Sequence, residues 1–246
     1  MALKPKRVKQ SGGQKLQSPI LDADNYPARL VQVIDLGLQK NFFDPEKINH
    51  EVMLTYELTT EFCLDEKGEP VEDKPRWISE TINIIDLPIG MSVEELYQDQ
   101  YRGKSKMVLR ARAFDPKGKL DFDFTEMVGL PCAVTVVQKK KKDGSPKNEV
   151  GAVTSPMKGL QIAELVNPPK VFILDEPDME VFESSPDFLK DKIKANLEFA
   201  GSQLEALLNG EKPAPKKEKA PKPEKEPEPQ VDADEEGEED GEDIPW

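Results

Sequence analysis

The alternation of apolar and polar positions predicts β-strands along much of the chain. Apolar residues at 52, 54, 56 and 58 alternate with Thr and Glu at 55, 57 and 59, the pattern of a half-buried strand. Residues 28–36 form a nearly unbroken apolar run closed by Gly37, which favours a more deeply buried strand. Residues 77–85 are rich in Ile and Thr and end at Asp86-Leu87-Pro88, so we expect a third strand there.

A hairpin with a basic tip is predicted further along the chain. Residues 132–138 favour a strand that runs into four lysines at 139–142. Asp143-Gly144-Ser145 is typical of a turn, and residues 149–154 predict the returning strand. We also expect an edge strand at residues 171–174.

Two segments predict helices. Residues 92–101 begin with Ser92 as an N-cap and carry two glutamates in the first turn. Residues 185–209 have Ser185 as the cap, Pro186 in the first helical position and Gly210 after the end. One apolar stripe recurs in the second segment at steps of three and four: Leu189, Ile193, Leu197, Ala200, Leu204 and Leu207.

The order of these elements predicts a mainly β protein. Four to six short strands with a helix between the third and the fourth are typical of an OB-fold-like Greek-key barrel with one inserted helix, here followed by a C-terminal helix. Such a barrel binds single strands across one face, between its loops. A β-sandwich and a mixed α+β sheet remain alternatives, because the order of elements does not distinguish them.

Composition divides the 246 residues, whose formal net charge is −14, into four parts. Residues 1–19 are basic and include a Ser-Gly-Gly step, so we expect a flexible basic arm. Residues 20–210 form the folded domain. Residues 211–230 alternate Lys, Pro, Ala and Glu, which is typical of an extended linker. Residues 231–246 hold nine acidic side chains and predict a disordered acidic tail.

Composition also excludes several classes of protein. No stretch approaches the roughly 18 consecutive apolar residues of a membrane span. The basic N-terminus has no apolar run behind it, so we expect no secretory signal. Cys63 and Cys132 lie singly in apolar segments, which predicts two buried thiols in a cytoplasmic protein. His50 is the only histidine, so sites with two His ligands are excluded, and we expect no cofactor and no metal.

Basic residues are concentrated between residues 100 and 160, which carry 13 Lys and Arg against 6 Asp and Glu. If residues 107–114 are extended, Arg110, Arg112 and Phe114 share one face, although the residue types there also favour a helix. Cations interleaved with aromatic rings suit a single-strand groove, since Lys and Arg neutralise phosphates while rings stack on bases.

The sequence therefore nominates a set of single-strand contacts. The alternative is that the cations only solubilise an exposed surface and that some of these aromatic rings belong to the core. The candidates are Trp77, Tyr97, Tyr101, Arg102, Lys104, Lys106, Arg110, Arg112, Phe114, Lys139, Lys140, Lys141 and Lys142.

The acidic tail ends in Asp243-Ile244-Pro245-Trp246. A tail that only solvates has no need of such apolar residues, whereas an aromatic ring, a proline and flanking carboxylates form a compact docking peptide. We therefore expect Asp243, Ile244, Pro245 and Trp246 to bind a partner protein. The nine acids of residues 231–243 can also imitate phosphates and compete for the basic groove.

These residues resemble two related families. Asp243-Ile244-Pro245-Trp246 resembles the Asp-Ile-Pro-Phe tip of bacterial single-stranded DNA-binding proteins, with Trp in place of Phe. Residues 26–37 are similar to the opening strand of the single-stranded DNA-binding proteins of tailed bacteriophages. The resemblance implies a protein that coats single strands during phage DNA replication, recombination and repair in the host cytoplasm. It also implies that the tail recruits a polymerase, helicase, primase or nuclease.

Other classes fit the sequence less well. The runner-up is an acidic interaction adaptor whose β-domain binds protein and not DNA. Asp121 and Asp123 would share a strand face, as in a nuclease metal site, but no further acid or His is placed to help them, so a surface strand is favoured. Gly103-Lys104-Ser105 resembles the end of a P-loop, but Gln98 stands where that loop needs its first glycine. We expect no enzymatic activity.

Overall fold

The computed structural model describes residues 16–210; most of the predicted basic arm, the linker and the acidic tail lie outside them. Six strands are present in this range: β1 (Asn25–Lys40), β2 (Ile48–Leu64), β3 (Pro70–Ile84), β4 (Pro131–Lys140), β5 (Pro146–Thr154) and β6 (Lys170–Phe172). The helices are α1 (Val93–Gln98), α2 (Lys106–Phe114), α3 (Met179–Ser184), α4 (Asp187–Lys194) and α5 (Gln203–Leu208), with a 3-10 turn at Arg102–Lys104.

The strands form one sheet, which confirms the prediction of a mainly β protein. Five of them follow the order β3-β2-β1-β4-β5, with antiparallel pairing at every step, and β6 pairs with β1 in parallel. Each of the six predicted strand segments lies within or overlaps an observed strand. Local alternation was sufficient here because a strand with one buried face repeats its apolar positions every two residues.

β1 contributes to two separate hydrophobic cores, and its irregular pairing allows this. Its register with β2 shifts between Leu30 and Gln32 and again between Asp35 and Gly37. Gly37 has φ of +70°, and a Cβ there would lie 2.6 Å from the side chain of Leu174. The bulge at Gly37 therefore needs glycine, both for its backbone conformation and for the close approach of the C-terminal region.

The larger core lies between the sheet and the helices α1 and α2. Leu30, Tyr56 and Val134 from three neighbouring strands are fully buried in it, and Val108 of α2 packs onto them from outside the sheet. The start of α1 is fixed by a capping box, in which Ser92 accepts from the Glu95 backbone N–H and Glu95 accepts from that of Ser92. The predicted first helix is thus confirmed at its start, and it ends at Gln98.

The smaller core lies where the C-terminal region covers the far half of β1. Ile34 and Leu36 of β1 contact Phe172 of β6, and Phe182, Leu189, Ile193 and Leu204 from the three C-terminal helices complete the cluster. The prediction of two buried thiols is half right, since Cys132 is buried in the larger core and Cys63 is only half-buried.

The prediction of one long C-terminal helix over residues 185–209 is wrong. Ser185 ends α3 and donates its hydroxyl to the Val181 carbonyl, and Pro186 is the N-cap of α4. The segment between α4 and α5 is not helical, because the Asn196 side chain donates to the Ile193 carbonyl and accepts from the Glu198 N–H. Side-chain bonds of this kind compete with helical ones.

Residues 107–114, for which the sequence left a strand and a helix open, form helix α2, so Arg110, Arg112 and Phe114 do not share a strand face. The Ser105 hydroxyl caps the helix by accepting from the Val108 N–H at 3.3 Å. Met107, Val108 and Ala111 are buried and Leu109 is exposed, which is the spacing of a helix face and not of a strand. The helix-favouring composition decides the conformation here.

Candidate nucleic-acid interface

Arg110 is the one predicted contact that lies inside the protein. Its Nε and Nη2 donate to the two carboxylate oxygens of Glu80 at 2.6 and 3.0 Å, and only 4% of the Arg110 side chain is exposed. The Tyr56 hydroxyl donates to the same carboxylate at 3.0 Å. Burial alone would lower the pKa of Arg110, but the bond to Glu80 outweighs it and the pKa is raised. Arg110 is therefore a structural cation, and its prediction as a phosphate contact is wrong.

Tyr97 and Phe114 are also engaged in packing. The Tyr97 hydroxyl donates to the Asp115 carbonyl at 2.7 Å, and burial raises the pKa of Tyr97 to about 12. Its ring meets Phe122 edge-on, with the guanidinium of Arg112 5.6 Å from the ring centroid. Phe114 is stacked on buried Tyr56 at 6.5 Å. Tyr97 thus packs α1 against the end of α2, and Phe114 packs α2 against β2. For Tyr97 this is the core alternative given from the sequence.

Trp77 and Tyr101 remain accessible to a ligand. Tyr101 is 83% exposed, and Trp77 is 39% exposed on β3. The Trp77 indole N–H donates to Glu57 at 2.9 Å, and buried Glu57 also accepts from the backbone N–H of Val166. The indole is therefore held in one orientation while part of its surface faces solvent.

The cations near α2 differ in how far they are neutralised. Lys106 lies 3.5 Å from Glu80, and Arg102 lies 3.8 Å from Asp99. Lys104 and Arg112 are exposed, and neither has an ion pair among residues 16–210. Arg112 also lines a cavity of about 350 Å³ between α2 and β5, which is otherwise largely apolar.

The tip of the β4–β5 hairpin carries the most exposed group of cations. Lys139 and Lys147 both pair with Glu149, and the pKa of Glu149 is lowered to about 2 by Lys139 first and Lys147 second. Lys140, Lys141 and Lys142, here called the tip lysines, follow Lys139 toward the turn. All three are exposed and have no ion pair within the described part of the chain.

The turn that carries the tip lysines has a defined shape. The Lys141 N–H donates to the Ser145 carbonyl at 2.8 Å, and Ser145 donates both its N–H and its hydroxyl to Asp143. Gly144 has φ of +84°, the left-handed conformation that this turn needs. The fold thus concentrates three unpaired positive charges on an ordered turn.

The loop between β1 and β2 carries an exposed aromatic pair that was not predicted from the sequence. Phe42 is 85% exposed and Phe43 is 93% exposed. Two adjacent phenylalanines between two strand patterns, beside Asn41 and an Asp-Pro step, were the available signal. Loops with turn residues are expected to be polar, so the pair is unusual there.

Asp121 and Asp123, considered above as a possible nuclease metal site, do not share a strand face. Their segment forms turns, with φ of +49° at Asp121 and +61° at Phe122. Among residues 16–210 no group of three or more His, Cys, Asp and Glu side chains is arranged to hold a metal ion. In the same range no helix combines the length and apolar character needed to cross a membrane.

Comparison with known proteins does not assign the chain to a family. No protein-family model matches it, and no curated protein sequence matches it. The predicted docking residues Asp243, Ile244, Pro245 and Trp246 lie outside the described residues.

Proposed function

We propose that this protein binds single-stranded DNA, without strong sequence preference and without catalysis, during phage DNA replication, recombination and repair. The observation that carries the proposal is the ordered hairpin tip with three exposed lysines that form no ion pair within residues 16–210. Unpaired cations on an acidic protein are suited to a polyanion, because each phosphate contact releases counterions from the nucleic acid.

The strand topology supports an OB-like barrel as the platform. The path β3-β2-β1-β4-β5 leaves β3 and β5 as its two outer strands, and Cα atoms of these two strands approach within 8 Å. Helices α1 and α2 lie between β3 and β4 in sequence, and α2 contacts β3, β4 and β5. A small Greek-key barrel would place its binding loops around one face.

In this mechanism the cations and the rings have separate tasks. The tip lysines, with Lys104 and Arg112, contact phosphates and provide affinity for any sequence. Trp77 and Tyr101 stack on bases, which is sequence-tolerant because every base has a π-face. The proposed contacts are to phosphates and to the faces of bases, and none of them is to a base edge.

The C-terminal tail supplies the second half of the proposed function. Asp243-Ile244-Pro245-Trp246 would dock on a replication or recombination enzyme such as a polymerase, helicase, primase or nuclease. Ile244 and Trp246 would fill an apolar pocket while the carboxylates meet Lys or Arg on the partner.

Titration of the full-length protein with oligo(dT), followed by tryptophan fluorescence, tests the proposal. We expect binding that weakens steeply as salt rises, and similar affinity for single strands of mixed sequence. The adaptor alternative predicts no binding to single or double strands at any salt concentration. Affinity for duplex DNA equal to that for single strands would also contradict the proposal.

A further inference from the structure

The loop between β1 and β2, residues 41–47, presents the two most exposed aromatic rings among residues 16–210. The rings of Phe42 and Phe43 lie 5.2 Å apart between centroids and nearly perpendicular, at 88°. Single exposed apolar side chains are common on protein surfaces, but neighbouring exposed rings mark a contact site. This pair therefore requires a ligand or a partner with apolar flat surfaces.

Hydrogen bonds order the backbone of the loop that carries the two rings. The Asn41 side-chain oxygen accepts from the backbone N–H groups of Phe43 and Asp44 at 2.9 and 3.2 Å. The Asn41 N–H donates to the Lys47 carbonyl at 2.8 Å, and the Lys47 N–H donates to the Asp44 carbonyl at 2.9 Å. Because the turn is ordered before any ligand arrives, little conformational entropy is lost on binding.

The charge of the loop indicates what kind of contact it makes. Lys40 and Lys47 are balanced by Asp44 and Glu46, and Lys47 is paired with Asp44 at 3.0 Å. The loop has no net positive charge, so it offers little attraction to phosphates. Its attraction for a single strand would come from stacking on bases, which is far less sensitive to salt.

The outer face of β3 leads from Trp77 toward this loop. Trp77, Ser79, Thr81 and Asn83 alternate along the strand, are exposed and carry no charge. Asn83 is paired with Glu51 of β2. Glu51 lies three residues after Ile48, where β2 begins and the loop ends. At about 3.3 Å per residue, Trp77 lies about 20 Å from Asn83 and about 30 Å from the loop.

We propose, building on the proposed single-strand binding, that Phe42 and Phe43 form a second stacking site at the far end of a track that begins at Trp77. At about 3.4 Å per nucleotide, the spacing within a stacked strand, 30 Å corresponds to about nine nucleotides, and a strand extended to about twice that spacing covers it with about five. A strand of about four nucleotides therefore reaches Trp77 or the loop, and only a longer strand contacts both. The pair thus sets the length at which affinity rises.

Oligo(dT) of about 4 and about 16 nucleotides, the limits of the known range of OB-fold site sizes, tests this proposal. The double variant Phe42→Ala, Phe43→Ala should bind the longer strand more weakly, by about 5- to 150-fold for each ring that stacks. Affinity for the shorter strand should change little, and the salt slope for the longer strand should stay the same. Phe42→Tyr with Phe43→Tyr should restore affinity, because a phenol ring also stacks.

The matched control is Phe188→Ala, which removes another exposed ring (68%) on helix α4. It should bind both strands as the wild type does. Unchanged affinity of the double variant for the longer strand overturns the proposal, and so does an equal loss at both lengths. Unchanged DNA affinity with altered sedimentation of the protein would instead make the pair an interface between copies. If the wild type binds neither strand, the proposed function itself fails.

Discussion

Two groups of cations come from the same basic stretch of sequence and lie in opposite environments. Arg110 of α2 is buried against Glu80 and Tyr56, with both carboxylate oxygens of Glu80 bound to the guanidinium. The tip lysines of the β4–β5 hairpin are exposed, and no carboxylate in the described range is paired with them. The difference shows that counting Lys and Arg in the sequence gives only the local charge. Whether a cation is available to a ligand depends on partners that are distant in sequence.

The environment of a cation also decides whether it stabilises the fold or is available to a ligand. A buried ion pair is needed once the fold contains it, because removing one partner leaves an uncompensated charge. An exposed cation adds little to stability and is free to contact a polyanion. Arg110 and the tip lysines should therefore respond to substitution in opposite ways.

The largest effect is expected for Arg110→Ala. The substitution leaves Glu80 buried with only Tyr56 and a more distant Lys106 as partners, so unfolding should become easier by about 3–5 kcal/mol. Urea denaturation followed by tryptophan fluorescence measures this. Arg112→Ala, two positions along the same helix and exposed, is the control and should change stability by less than about 1 kcal/mol. Equal stability of the two variants would show that the buried pair has no structural role.

The second largest effect is expected for the aromatic residues, which the fold also divides into exposed rings and packed rings. Tyr101→Ala should lower affinity for oligo(dT) by about 1–3 kcal/mol, because it removes a stacking ring. Trp77→Phe keeps a ring and should lower affinity by less. Tyr97→Phe should leave affinity unchanged, because its hydroxyl is bound to Asp115 within the protein. It should cost about 1 kcal/mol of stability through the lost hydrogen bond. Loss of DNA affinity in Tyr97→Phe at unchanged stability would contradict this assignment.

The smallest effect is expected at a half-exposed pair, His50 and Asp35, which lie 2.8 Å apart. The bond to Asp35 raises the pKa of His50 above its ordinary value of 6.5. Burial raises the pKa of Asp35, but the bonds from His50 and Gly37 outweigh it and the pKa is lowered.

The direction of the pH effect follows from these shifts. The His50 contribution to stability is complete below about pH 6.5 and is lost as pH rises through the raised pKa. The Asp35 contribution is present above about pH 3.8 and is lost as pH falls through the lowered pKa. Because the pair is partly solvated, we expect about 1 kcal/mol or less. The stability difference between the wild type and His50→Gln should therefore be larger at pH 5.5 than at pH 9, and an equal difference at both would contradict the pairing.

The six strands could be predicted from the sequence because their information is local. The alternation at residues 52–58 and the apolar run at 28–36 show that these segments are buried on one face or on both. This can be read from the sequence without knowing which part of the protein covers them. Residues 107–114 left two conformations open, because apolar positions 107, 109, 111 and 113 fit a strand while 107, 108 and 111 fit a helix face. Their helix-favouring composition agrees with the helix that forms.

The parts that could not be predicted depend on partners that are distant in sequence. Arg110 is buried because Glu80, thirty residues earlier, meets it across the larger core. The C-terminal helix breaks at Asn196, whose side chain bonds the backbone locally while the Leu197 N–H donates to the Leu38 carbonyl of β1. The exposure of Phe42 and Phe43 could not be predicted, because it depends on what the folded chain leaves uncovered at the β1–β2 loop and a two-residue aromatic step carries no period.

The measurement that tests the central claim most directly is the salt dependence of oligo(dT) affinity in the triple variant Lys140→Ala, Lys141→Ala, Lys142→Ala. The matched control removes three exposed lysines elsewhere, Lys67, Lys74 and Lys194, so the net charge of the two proteins is identical. If the tip lysines contact phosphates, the slope of log K against log salt should flatten by about 0.7 per lost contact, about 2 in all, with unfolding unchanged. The control should keep the wild-type slope. Equal slopes in both variants would contradict the account, because the hairpin tip would then be no more than a solvated surface.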